Sequence, residues 1–157
     1  MSSYSITIPY TPKAKASVRS GRYGVYNPSR HGMKQVKEFV KRYAKKNNLP
    51  MLKGPLLVIC HFRLPAPKFL NGPLRQKQNW RPHAKRPDGD NLEKFTSDCM
   101  NGIVWKDDSQ VAWMLRTKSI TDHKEGSTTI FIKEMTNEVD QFDNILAEIK
   151  EKIDYRQ

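Results

Sequence analysis

The chain has 157 residues, the length of one ordinary domain, and 37% of them are aliphatic or aromatic. No apolar run approaches the roughly 18 to 20 residues that a membrane span requires, and residues 1–10 lack the charged and apolar regions of a secretory signal. These features exclude a membrane-spanning chain, and we expect a cytoplasmic protein without membrane contact.

The net charge of +12 is unevenly distributed along the chain. Residues 1–87 carry 19 Lys or Arg against the single acid Glu38, whereas residues 88–157 carry 9 basic and 15 acidic residues. A first part this basic repels itself unless a polyanion lies against it, and nucleic acid is the usual polyanion. The alternative is a basic face that only aids solubility.

The predicted elements begin with a strand over residues 4–10, in which apolar and hydroxyl side chains alternate. A basic loop over 13–31 follows, and then an amphipathic helix over about 32–48 with a lysine-rich outer side. The next strand, 56–64, opens with four consecutive apolar residues. This pattern is typical of a strand that is buried on both faces at the centre of a sheet.

A long polar segment, residues 65–87, joins this strand to the next predicted helix. Connections of this length without secondary structure are usually functional or disordered. The segment has six basic residues, no acid, and two aromatic residues, Phe69 and Trp80, on which an unpaired base could stack. Its candidate DNA contacts are Arg75, Lys77, Trp80, Arg81, Lys85 and Arg86.

The second half of the chain predicts a helix, two strands and a final helix. The helix over 91–101 ends before Gly102, and the strands over 111–120 and 128–135 are joined by a turn-prone segment that predicts a hairpin. A narrow apolar stripe along the final helix indicates packing on the core or on a partner helix. Its members are Val139, Phe142, Leu146, Ile149 and Ile153.

Together these elements predict an α+β fold. We expect a single domain with a mixed, mostly four-stranded sheet packed with two helices, and a C-terminal helix in addition. The domain would cover residues 1–136, with residues 137–157 as a helical extension. Cys60 and Cys99 lie in apolar surroundings without a nearby CxxC pair, which predicts structural thiols and not a disulfide or a zinc site.

Two acidic residues, Asp88 and Asp90, lie just ahead of the second helix. A turn that enters a helix can bring both carboxylates around one cation. The ordinary alternative is that Asp90 caps the helix together with Glu93. An EF-hand calcium loop does not fit, because Leu92 stands at the position of the third oxygen ligand and the glycine is misplaced.

A second acidic pair, Asp107 and Asp108, stands at the entrance to the strand over 111–120. If that strand lies beside the strand over 56–64, its start can approach the start of the second helix, and hard oxygen ligands from both pairs would suit Mg²⁺ or Mn²⁺. Lys94 stands one turn into the helix, near enough to reach a phosphate oxygen. The alternative is that Lys94 forms an ion pair with Asp98, four residues further along the helix.

Residues 86–111 resemble the RusA-type Holliday junction resolvases, many of which are encoded by phages and prophages. The D-x-D-N-L-x-K signature of that family stands at residues 88–94, and its N-G-x-x-W-x-D-D-x-Q-V signature stands at residues 101–111. Weaker agreement extends from the opening strand to Met135. The long basic segment and the helix after Thr136 depart from the compact members of the family.

The resemblance implies a catalytic set of Asp88, Asp90, Lys94 and Asp108. The three aspartates would bind Mg²⁺, with Mn²⁺ as a substitute, and Asp107 would support them. It also implies a homodimer that cuts opposite strands of a four-way DNA junction in recombination and repair, leaving 5'-phosphate and 3'-hydroxyl ends. Two alternatives stay open: a nuclease of flaps, other branched DNA or RNA, and a DNA-binding module without catalysis.

Overall fold

The structure, a computed structural model, describes residues 2–70, 72–135 and 142–153. Within these ranges a sheet and three longer helices make up the body of the fold. The strands are β1 (Ser3–Ile8), β2 (Arg19–Gly21), β3 (Gly24–Tyr26), β4 (Leu56–Pro65), β5 (Val111–Thr121) and β6 (Ser127–Glu134). The α-helices are α1 (Arg30–Lys46), α2 (Gly72–Gln76), α3 (Gly89–Met100) and α4 (Phe142–Ile153).

The main sheet has four strands in the order β1-β6-β4-β5. β4 pairs in parallel with β5 and antiparallel with β6, which in turn pairs antiparallel with β1. The five residues from Leu56 to Cys60 are all buried, because helices cover both faces of the sheet at this point. The prediction of a central strand that is buried on both faces is therefore confirmed, as is the α+β fold class with a mixed four-stranded sheet.

The predicted hairpin between the last two strands is wrong. Both strands form, but β4 lies between them, and the connection over 122–126 crosses the carboxyl end of β4. Gly126 makes this crossing possible, because a side chain there would overlap the carbonyl oxygen of Arg63. This strand order stabilises the sheet, because the apolar strand β4 then has a hydrogen-bonded neighbour on each side.

The main core lies between the inner face of the sheet and the helices α1 and α3. Val58 and Phe62 of β4 meet Val40 of α1 and Leu92 of α3, and all four side chains are fully buried. α1 places its apolar stripe inward and its lysines outward, as the sequence pattern predicts. Its last turn contains Lys45 and Lys46, whose charges are favourable at a helix C-terminus.

The C-terminal helix α4 packs on the outer face of the sheet. Ile149 is buried there against Leu57, Ile59 and Phe131. Of the two uses that the apolar stripe allowed, core packing is therefore the one observed. Val139, which the stripe also included, lies outside the described residues.

Both long loops contain more structure than the sequence predicts. The basic loop over 13–31 contains the β2–β3 hairpin, and the polar segment over 65–87 contains α2. The end of that segment runs along the edge of β5, where the Trp80 amide donates to the carbonyl of Ile120 and the His83 amide donates to the carbonyl of Lys118. No helix in the described part of the chain has the length and apolar character to cross a membrane.

The two cysteines are both free and both belong to the main core. Burial raises the pKa of Cys60 to about 12, with a smaller contribution from the charge of Glu93. Burial likewise raises the pKa of Cys99 to about 12. Neither thiol ionises near neutral pH, so both behave as small apolar side chains.

Candidate active site

The first turn of α3 holds Asp88 and Asp90. The helix begins at Gly89, so Asp88 occupies the N-cap position in extended backbone, and its carboxylate makes no capping hydrogen bond. Its carbonyl oxygen accepts from the amide of Leu92 at 3.1 Å. Asp90 lies inside the first turn and is not the cap, and Glu93 is bound elsewhere. The capping explanation therefore accounts for neither aspartate, and both side chains are exposed.

Two basic residues of β5 hold this turn in place. The Arg116 guanidinium pairs with Glu93 at 2.5 Å and lies so close to Gly89 that a side chain at position 89 would collide with it. The Lys118 ammonium donates to the carbonyl oxygens of Lys85 at 2.9 Å and Pro87 at 2.8 Å. These bonds fix the approach of the chain to Asp88.

Sequence reasoning did not single out Arg116 or Lys118. The signal was available in the alternation of β5, because Trp113 and Leu115 face the outer cluster whereas Met114 faces the main core. Arg116 and Lys118 continue the register of Met114. Charged residues on a core-facing register indicate a specific partner, which here is the turn that carries the aspartates.

Lys94 faces the same turn. Its ammonium lies 3.9 Å from a carboxylate oxygen of Asp90, and the two side chains are 65% and 56% exposed. Asp98, the alternative partner of Lys94, instead pairs with Lys15 at 2.6 Å. Lys94 is thus held only loosely and projects beside the aspartates, where it can meet an anion from solvent.

A short turn of 3-10 helix, Asp108–Gln110, positions the second acidic pair ahead of β5. Asp107 is its N-cap and accepts a hydrogen bond from the Ser109 amide at 3.0 Å. Hydrogen bonds from the hydroxyl and the amide of Ser109 lower the pKa of Asp107. The carboxylate of Asp107 is thus used to build the turn, whereas the carboxylate of Asp108 is exposed and has no hydrogen bond or ion pair within the described residues.

Two other signature residues attach this turn to the body of the fold. The Gln110 side chain accepts from the amides of Lys106 and Asp107 and donates to the carbonyls of Leu52 and Gly54. The fully buried Trp105 donates from its indole nitrogen to Asn101 at 2.6 Å. Much of the second signature is therefore scaffold for the carboxylate of Asp108, which is exposed and makes no hydrogen bond in the described chain.

The two acidic pairs do not converge within one chain. Asp108 precedes Val111, which pairs with Leu56, whereas the first turn of α3 lies against Arg116, which pairs with Cys60. Five residues of strand separate these positions by about 17 Å. No group of three carboxylate, imidazole or thiol side chains able to hold a metal occurs among the described residues.

The physical reason is the direction of α3. The strand does lie beside β4, as expected, but α3 runs antiparallel to β5 and its 12 residues span about 18 Å. The chain therefore returns to the start of β5 from the far end of the helix. The expected approach of Asp108 to Asp88 and Asp90 is wrong for a single chain.

The basic segment over 65–87 leads directly into the first turn of α3. Its basic residues form no ion pair with an acid in the described part of the chain, and Lys77, Arg81, Lys85 and Arg86 are exposed while Arg75 is half-buried. The segment lies where β4 and β5 end, the same edge of the sheet as Asp88. Positive charge is thus concentrated beside the exposed carboxylates.

The two aromatic residues of this segment differ in availability. Trp80 packs against two side chains of β4. Its ring centre lies 5.5 Å from that of His61 and 3.9 Å from the guanidinium carbon of Arg63. Burial lowers the pKa of Arg63. Trp80 is therefore half-buried against side chains of β4, whereas Phe69 is 85% exposed.

Comparison with known proteins identifies the family. The family model described as endodeoxyribonuclease RusA matches residues 8–133. The chain belongs to the RusA endodeoxyribonuclease family. It is also similar to the uncharacterized protein YqaN of Bacillus subtilis (strain 168), with 26% identity over 130 residues that cover 79% of this chain and 88% of YqaN.

Membership in the RusA family implies the nuclease activity of a Holliday junction resolvase. The match includes both signatures, the strands β4 and β5, all of β6 but its last residue, and the whole basic segment, but only the last residue of β1. It ends at residue 133, and the division of the chain at residues 136 and 137 stays a prediction. The roles of individual site residues are likewise proposals, which follow.

Proposed function

We propose that this RusA-family chain is a Mg²⁺-dependent endodeoxyribonuclease, with Mn²⁺ as an alternative, that resolves four-way DNA junctions as a homodimer. The proposal depends on one observation. The first turn of α3 presents two exposed aspartates that are not used as helix caps, beside a loosely held lysine, at the sheet edge where the basic segment ends. No structural role within the described residues accounts for the positions of these three side chains.

The carboxylates of Asp88 and Asp90 fit a divalent metal of the magnesium class in their chemistry, because such ions prefer oxygen ligands and retain several waters. When bound, the metal supplies a Lewis acid for phosphodiester hydrolysis. Lys94 stabilises the negative charge that develops on the phosphate during the displacement. Arg116 and Lys118 act as positioning residues, since they contact the chain on either side of Asp88.

Asp108 belongs to the proposed site through the second copy of the chain. Because Asp108 stands ahead of the start of β5, whereas the first turn of α3 lies against Arg116, about 17 Å further along that strand, a two-fold dimer supplies the third carboxylate if the start of β5 of one copy approaches α3 of the other. Two composite sites then face opposite strands of a junction, whose own symmetry is also two-fold. Asp107 supports this arrangement by forming the turn that presents Asp108.

DNA binding precedes the chemistry and comes from the basic surface. The exposed lysines and arginines of residues 65–87 neutralise phosphates and release counterions, so affinity should fall steeply as salt is raised. Trp80 contributes to this surface by ordering the segment through its contacts with His61 and Arg63. Direct phosphate contacts are assigned to Arg75, Lys77, Arg81, Lys85 and Arg86.

The decisive experiment is Asp88→Asn with a labelled four-way junction in Mg²⁺. We expect cleavage to fall by at least about a hundredfold, the usual order for a lost electrostatic group at an active site, while junction affinity stays within about threefold. Glu38→Gln is the control, because Glu38 is an exposed acid of α1 without an ion pair in the described residues. Unchanged cleavage by Asp88→Asn would refute the assignment.

A substrate panel decides between the proposed function and its alternatives. Four-way junction, flap, linear duplex and RNA are each incubated with Mg²⁺ and with Mn²⁺. Preferential paired cuts in the junction support the proposal, whereas faster cutting of flaps or RNA would assign the site to another nuclease. Junction binding without any cleavage by the wild-type chain would indicate a DNA-binding module without catalysis.

A further inference from the structure

The β2–β3 hairpin projects from the domain without a covering partner in the described residues. All ten residues from 17 to 26 are exposed, and the hairpin forms a two-stranded sheet separate from the main one. An isolated hairpin of this size is marginally stable in water. Its side chains are nevertheless rich in large apolar groups, namely Val18, Tyr23, Val25 and Tyr26. Large apolar side chains exposed this close together in the sequence favour an interaction surface.

The base of the hairpin is attached to the first turn of α3. The amide of Lys15 donates to the carbonyl of Asn91 at 2.8 Å, and the amide of Ala16 donates to the hydroxyl of Ser29 at 2.8 Å. The ion pair between Lys15 and Asp98 adds a third attachment. Because Asn91 follows Asp90 directly, the hairpin rises from the border of the proposed active site.

The positive charge of residues 13–31 indicates which class of partner the hairpin binds. Residues 13–31 contain five Lys or Arg and no acid, and Arg19 and Arg22 of the hairpin form no ion pair with an acid in the described ranges. An uncompensated basic arm repels a second copy of itself and attracts a polyanion. Nucleic acid is the polyanion that also offers flat apolar surfaces to aromatic rings.

The tip of the hairpin consists of Arg22 and Tyr23, between Gly21 and Gly24. Gly24 has a φ of 114°, which lets the chain reverse within two residues. Tyr23 is 96% exposed, and its ring centre lies 6.0 Å from the guanidinium carbon of Arg22. The tip of the hairpin therefore presents an aromatic ring flanked by a positive charge.

We propose that Tyr23 stacks on an unstacked base at the branch point, while Arg19 and Arg22 bind phosphates of the same strand. Bases in a continuous duplex are stacked on both sides, whereas a branch point can expose a base face. Tyr23 is thereby a specificity-determining residue that favours branched over linear DNA. This inference rests on the proposed function, because it takes branched DNA as the substrate.

The test compares binding of a four-way junction with binding of a linear duplex of the same length, in EDTA so that no strand is cut. One stacked base contributes about 1–3 kcal/mol, so Tyr23→Ala should weaken junction binding about fivefold or more and duplex binding less than twofold. Tyr23→Phe should retain the preference. Arg22→Ala should weaken both complexes to a similar degree.

Three results would overturn the inference: equal loss on both substrates for Tyr23→Ala, no loss on either, or a wild-type chain without junction preference. Sedimentation of the free protein adds a fourth, since a change of oligomeric state in Tyr23→Ala would assign the hairpin to a subunit contact. Cleavage assays with Asp88→Asn remain independent of these measurements. Failure of the hairpin inference is thus distinguishable from failure of the proposed active site.

Discussion

At the scale of single residues, the two family signatures separate into scaffold and chemistry. Asn101, Trp105 and Gln110 are satisfied by internal hydrogen bonds and hold the turn before β5. Asp88 and Asp108 instead leave their carboxylates exposed without a protein partner in the described chain. Carboxylates that are held in place by the fold but make no hydrogen bond within it are available to bind a ligand.

Lys94 allows a residue-scale prediction. Lys94→Ala removes the charge that would stabilise the phosphate in the transition state, so the single-turnover cleavage rate should fall by about 10²–10³. Junction affinity should change little, because one exposed lysine among many contributes a small part of the binding. Lys94→Arg should recover part of the rate. An equal loss of rate in Lys45→Ala, an exposed lysine at the far end of α1, would contradict the catalytic role.

At the scale of elements, β4 decides the arrangement of the sheet. It is buried on both faces and takes β5 and β6 as neighbours, although these two follow each other along the chain. The local turn signal between β5 and β6 predicted direct pairing. Long-range burial of β4 outweighs that signal, because a central apolar strand needs both of its hydrogen-bonding edges covered.

The crossing at Gly126 gives a prediction at this scale. Gly126→Ala places a methyl group against the carbonyl of Arg63 and the ring of Pro12, and such overpacking typically costs about 1–3 kcal/mol. Urea denaturation should show a lower free energy of unfolding. Gly72→Ala is the matched control, since open space surrounds position 72 and the helical site should tolerate alanine. A normal stability for Gly126→Ala would show that the crossing is not tightly packed.

At the scale of the whole molecule, the proposed site requires a second chain for its third carboxylate. The direction of α3 puts Asp108 and the first turn of the helix at opposite ends of a helix–strand unit. A monomer then presents two carboxylates and a dimer presents two full sets. Catalysis becomes linked to assembly, so dilution below the dimer dissociation constant should abolish cleavage.

Mixed dimers test this arrangement directly. Asp88→Asn and Asp108→Asn chains are expressed with different tags, and the mixed dimer is purified through both. Each homodimer should be inactive. In the mixed dimer one composite site carries both substitutions and the other carries none, so we expect nicking of one strand without paired cleavage. An inactive mixed dimer with an intact junction affinity would show that the acids act within one chain.

Local patterns in the sequence by themselves determined the four strands of the main sheet, the three longer helices and the family signatures. The apolar run of β4, the amphipathic stripe of α1 and the signatures around Asp88 and Asp108 are short-range features, because periodicity and motif spacing are read over a few residues. Tertiary structure alone decided that β5 and β6 do not pair, that Trp80 is held against β4, and that Asp108 lies far from Asp88. These outcomes depend on contacts between distant residues and on the direction in which α3 crosses the sheet, neither of which a local pattern encodes.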